Sequence, residues 1–203
     1  MRPLLATLDL TAIGHNHALA QRCAPGRGIF AVVAANAYGH GLAEVVTGLH
    51  DHADGFAVAS LDEAAQVRAL HARARILLQA GCFSAQEYRH AAQLRLDVVV
   101  HTDWQAEQLL DAEWVRPLDV WLALDAGAHR LGFAAAELRG WHARLQGLAA
   151  VASLNLLSEL SCAGLRGHPA NEEQLDAFAQ VFDLSVAARS LADSAATLML
   201  PAA

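Results

Sequence analysis

Ile29-Phe30-Ala31-Val32-Val33-Ala34-Ala35-Asn36-Ala37-Tyr38-Gly39-His40-Gly41-Leu42-Ala43-Glu44-Val45-Val46-Thr47-Gly48-Leu49 changes its hydrophobic period once. Residues 29–33 are continuously apolar, as a strand covered on both faces requires. Leu42, Val45, Val46 and Leu49 then fall at i, i+3, i+4 and i+7, which places them on one face of a helix. The stretch reads as a buried strand, a polar turn and a covering helix. That βα unit recurs along the chain.

Further apolar runs follow at Gly55–Ala59, Arg75–Gln79, Leu96–Val100, Leu118–Leu124, Ala150–Leu157 and Arg189–Ala192. Ser60 to Glu63, Ser84 to Glu87 and Thr102 to Gln105 have capping-box spacing just after a strand. Asn171 to Gln174 offers a similar start for a helix carrying Leu175, Phe178, Val181 and Phe182. Seven βα units in a row imply either an open doubly wound sheet or a barrel. No GxGxxG or GxxxxGK[ST] follows any strand, so the even spacing favours an α/β fold of the TIM-type (β/α) barrel class. With seven strands evident, the barrel is incomplete, unless a strand near Leu4–Leu10 helps to close it or a partner chain does.

The 203 residues are expected to form one domain. No apolar run approaches the ~20 residues of a membrane span, and the chain meets Asp9 before any long apolar stretch, so no secretory signal is read and a cytoplasmic location is expected. A formal charge of −7 and 14 scattered arginines disfavour nucleic acid and anionic membranes as partners. Cys23, Cys82 and Cys162 are odd in number and far apart, which points to reduced thiols. All 14 basic residues counted as Lys plus Arg are arginine, so no side-chain amine exists in this chain.

In a barrel the chemistry sits after the C-terminal ends of the strands. Those positions are residues 34–41, His101, residues 125–132, residues 158–162, and Asp193 with Ser194. Asn36-Ala37-Tyr38-Gly39-His40-Gly41 is similar to the cofactor-anchoring motif of the pyridoxal-phosphate-dependent alanine racemases. Asp125 to Phe133 and Ser190 to Ala196 resemble two further segments of that family.

The resemblance implies that Tyr38 helps to hold the cofactor phosphate, that Arg130 assists substrate binding, and that Ser194 opens a helix whose N–H groups cradle phosphate. It also exposes departures. Ala34 stands where the family carries the lysine that forms the internal aldimine and serves as one racemisation base. Ala123 replaces a second lysine, often carbamylated, that positions the arginine, so Arg130 is expected to lose its orienting group. Glu159 stands for a histidine against the cofactor ring, and Asp193 for an asparagine near the phosphate. Both add negative charge where an anion would bind.

The resemblance covers nearly the whole chain but only the first half to two thirds of a family member. Residues 1–203 are therefore read as the N-terminal barrel domain, without the C-terminal β domain and its tyrosine base. The implied activity is interconversion of L- and D-alanine, lost or strongly impaired through Ala34. The alternative is a barrel module that binds pyridoxal phosphate non-covalently or depends on a partner, either a second copy or a complementary chain. The implied small-molecule ligand is an amino acid. A metal-assisted hydrolase is the weakest reading, because the close pair His15 and His17 falls in an N-terminal helix and no ligand set gathers at a strand end.

Overall fold

Strands buried on both faces need two apolar layers, and the computed structural model contains both. It describes residues 5–110, 112 and 116–200. In chain order these form α1 (Leu10–Cys23), β1 (Phe30–Val32), α2 (Ala34–Tyr38), α3 (Leu42–Gly48), β2 (Gly55–Val58), α4 (Leu61–Leu70), β3 (Arg75–Leu78), α5 (Ala85–Leu94), β4 (Asp97–Val100), α6 (Asp103–Leu110), β5 (Leu118–Ala123), α7 (Ala135–Leu145), β6 (Val151–Leu157), α8 (Pro169–Ala179), β7 (Arg189–Ser190) and α9 (Ser194–Met199). All seven strands are parallel, and their spatial order is their sequence order.

Alternate residues of each strand serve the two layers. Phe56, Val58, Ile76, Leu78, Val98, Val100, Val120, Leu122 and Leu156 face the helices in the larger core. Ala57, Leu77, Val99, Trp121 and Ala123 form a second cluster on the other face, with Phe30 and Leu157 against it. A strand that buries both faces has no polar face to alternate with, and this explains the continuous runs. Leu42, Val45, Val46 and Leu49 are all buried against the sheet.

The sheet curls far enough for α1 to pack on both α3 and α9. β1 and β7 remain unpaired edges among the described residues, so the architecture is a partial TIM-type barrel of seven strands. No strand forms near Leu4–Leu10 within the described residues. Asp9 instead caps α1, its Oδ1 accepting from Ala12 N at 3.0 Å, and Leu4 lies outside them. The helix expected from Asn171 starts two residues earlier, at Pro169, because proline suits a first turn and His168 supplies the cap. Asn171 is thereby buried inside α8 and donates to Leu165 O, while Val181 and Phe182 lie past the helix end.

A polar cluster closes the inner face at the N-terminal ends of β3 and β4. Asp97 is buried and accepts from Arg75 (2.7 and 2.9 Å) and from Trp121 Nε1 (2.8 Å). The Arg75 guanidinium lies over the rings of Phe30 and Trp121. Gly55 is required beside them, since a Cβ there would come within 2.7 Å of the Phe30 ring and 2.9 Å of Arg75 O.

His17 on α1 is buried, with neither ring nitrogen hydrogen-bonded. Burial lowers its pKa from 6.5, Asp54 opposes this less strongly, and His52 adds to the lowering. A histidine depressed in the folded state prefers to be neutral there, so its contribution is complete above the unfolded value and is lost as pH falls through 6.5. Urea unfolding at pH 7 and pH 5 should therefore show a smaller acid loss for His17→Leu than for the parent. Equal losses would exclude His17 as a cause of acid sensitivity.

Candidate functional site

The turn after β1 is the most constrained backbone in the chain. Ala35, Asn36, Ala37 and Tyr38 have φ of 52, 56, 53 and 55°, followed by Gly39 at 82°. Four consecutive left-handed L-residues cost roughly 1–2 kcal/mol each, so this turn needs external bonds. Glu63 supplies one of them, accepting from Ala35 N at 2.7 Å, and it ties the turn to the end of β2 by also accepting from Ala59 N at 2.9 Å. Asn36 supplies others: its carbonyl accepts from Gly41 N and its Oδ1 from Leu42 N at 2.8 Å, which caps α3. Ala34 sits partly exposed at the head of the turn, and Tyr38 is 71% exposed at its end.

Glu63 shows how the capping-box spacing was used differently. Ser60 accepts from Glu63 N as expected, but the Glu63 carboxylate reaches the residue before the cap rather than the cap itself. Glu87 does the same to Phe83 N, and the Gln105 amide to His101 N. Gln105 also donates to Ala80 O, so it joins the loops after β3 and β4. Gln174 on α8 plays this part further along, accepting from Ser161 N and donating to Ser161 Oγ, each at 2.9 Å. These three braces were not among the expected site residues. Only the capping spacing of Glu63, Gln105 and Gln174 hinted at them, since their partners depend on how the loops fold.

The loop after β5 folds back on the strand, with Phe133 N donating to Ala123 O and Asp125 N to Phe133 O. Asp125 accepts from Gly127 N, His129 N and His129 Nδ1, all at 2.9 Å. Burial pushes its pKa up, and those three bonds outweigh it, so the carboxyl is held below its usual value. Arg130, on the same loop, meets Glu159 from the loop after β6: Nε donates to Oε1 at 2.6 Å and the second nitrogen to Oε2 at 2.8 Å. Arg130 therefore has an orienting carboxylate, contrary to the expectation from Ala123, and Glu159 is turned onto Arg130. Ala123 itself is buried in the inner-face cluster.

Ser194 is the first residue of α9, after β7. Asp193 is its cap and accepts from Ala196 N at 2.7 Å, so a carboxylate already uses one of the free N–H groups of that short helix. All six expected positions thus lie at the C-terminal edge of the sheet. Arg130 and Glu159 are in contact, Ala34 and Tyr38 share one turn, and Asp193 and Ser194 open one helix.

Comparison with known proteins bears on the family and the fold. The family profile described as "Alanine racemase, N-terminal domain" matches residues 8–203. The chain belongs to the alanine racemase family. The biosynthetic alanine racemase of Pseudomonas aeruginosa is 62% identical over the whole chain, which covers 57% of that protein. The alanine racemase of Stutzerimonas stutzeri is 55% identical with the same coverage.

The crystal structure of the biosynthetic P. aeruginosa alanine racemase superposes with a TM-score of 0.97, covering 100% of this chain and 57% of that one. That of the Bartonella henselae alanine racemase, which holds covalently bound pyridoxal phosphate, is 24% identical with a TM-score of 0.82, over 95% of this chain and 57% of that one. The chain thus spans little more than half the length of these racemases. No helix among the described residues is long and apolar enough to cross a membrane.

Proposed function

We propose that this alanine racemase barrel does not racemise alanine by itself, and that pyridoxal phosphate, the cofactor implied by the family, is held without a covalent bond. The observation that carries the reading is Ala34 at the head of the left-handed turn in a chain with no lysine. A methyl group can neither form an imine nor carry a proton.

The donor set does not fit the covalent form of the group. For a non-covalent complex, the Tyr38 hydroxyl and Ser194 are the available holders, with an amino acid as the small-molecule ligand. They are opposed by the negative charge of Glu159 and Asp193, and the Arg130 guanidinium is already paired with Glu159. Such a complex is weak and exchangeable. A homodimer or a complementary chain that adds residues over the mouth would strengthen it.

An absorbance titration tests this reading. The full chain titrated with pyridoxal phosphate should show saturable binding of the free aldehyde that is removed by dialysis. An imine spectrum that survives dialysis would overturn the non-covalent reading, and no binding at millimolar cofactor would remove the cofactor from it.

A further inference from the structure

The Arg130 and Glu159 pair joins two loops that are 29 residues apart in sequence. Both nitrogens of one guanidinium edge are engaged by both carboxylate oxygens, the fork geometry that makes such pairs directional. Both side chains are reachable from solvent, at 65% and 41% exposure, so an external anion could approach the same guanidinium. Beneath them, the Gln174 bonds to Ser161 hold the loop that carries Glu159, and the Gln174 side chain lies directly under Gly127 of the loop that carries Arg130. The pair is therefore placed by braced loops, with carboxylate and guanidinium each presented to the other.

We infer that Glu159 is a built-in counter-ion that occupies Arg130, latches the loops after β5 and β6, and bars external anions from that part of the mouth. The inference rests on the reading of this mouth as the ligand end of the barrel and adds its regulation. The latch selects against small anionic groups, carboxylate or phosphate, unless they displace Glu159. Displacement is feasible because a solvent-exposed ion pair is weak.

The test follows the Arg130 Nε–H resonance in the full, nitrogen-15-labelled chain, assigned by its disappearance in Arg130→Lys. Inorganic phosphate is titrated at constant ionic strength into the parent and into Glu159→Gln. The resonance should move saturably in Glu159→Gln at phosphate concentrations about two- to five-fold below those needed in the parent. Equal titrations, or no response in the variant, would overturn the latch.

If Glu159→Gln does not fold, hydrogen exchange in the parent decides the matter. Arg130 Nε–H should exchange more slowly than that of Arg27, an exposed arginine with no side-chain partner among the described residues. Equal exchange would overturn the latch. Neither readout involves racemisation or pyridoxal phosphate, so the latch and the non-racemising reading fail separately.

Discussion

D-Alanine incubated with the purified chain and pyridoxal phosphate should be converted to L-alanine no faster than with pyridoxal phosphate alone, as measured by chiral chromatography. Racemisation needs a group that removes the α-proton from one face and another that returns it from the opposite face. A positioned acid or base contributes typically 10²–10⁴-fold, and the resemblance places one at residue 34, where a methyl group stands. The resemblance assigns the other to the C-terminal domain of the family, outside the 57% of the P. aeruginosa relative that this chain matches. A rate clearly above the cofactor control would show that another group serves as base and would sink the proposed function.

Ala34→Lys sharpens the same prediction. The left-handed turn is already built and braced by Glu63 and Asn36, so an imine with the cofactor should form in that variant. The rate should nevertheless stay well below that of a complete racemase, because Glu159 occupies Arg130. Full activity in Ala34→Lys would show that the other departures are inconsequential.

Gly132→Ala is expected to be among the most damaging single substitutions. Gly132 has φ +119°, and a Cβ there would lie 2.6 Å from Asp125 N and 2.8 Å from Leu124 C, both backbone atoms that cannot swing aside. Strain of about 1–3 kcal/mol at such a backbone position adds to about 1–3 kcal/mol of overpacking. For a chain of this size each kcal/mol lowers Tm by roughly 2–4 °C, so a fall of roughly 5–15 °C is expected by calorimetry. Gly140→Ala is the control, because that glycine lies within α7 with no atom within 4 Å of the added methyl. It should be neutral or stabilising, since alanine favours helix. A Gly132→Ala melt within a degree or two of the parent would show that the loop can shift without cost, and that Arg130 is not held by its fold-back on β5.

The central strands β2 to β5 were the most legible because they are covered on both faces and leave a short, continuous apolar signature. Trp121 and Val120 illustrate this, as neighbours serving opposite cores. The helix on Leu42, Val45, Val46 and Leu49 was legible from its period alone. Of the residues expected on α8, Leu175 and Phe178 lie in it, whereas Val181 and Phe182 fall past Ala179, where the backbone tightens into i to i−3 turns that keep helical spacing.

What the sequence determined by itself was the alternation of strand and helix, and the lack of any side-chain amine to bind a cofactor covalently. These follow from local periodicity and from residue identity, neither of which requires knowing what lies nearby. What only the tertiary structure decided was the pairing of groups from separate units: Glu63 with Ala35, Gln105 with Ala80, and Glu159 with Arg130. A carboxylate's role is set by the donor that the fold brings within about 3 Å, and that donor can stand tens of residues away in the chain.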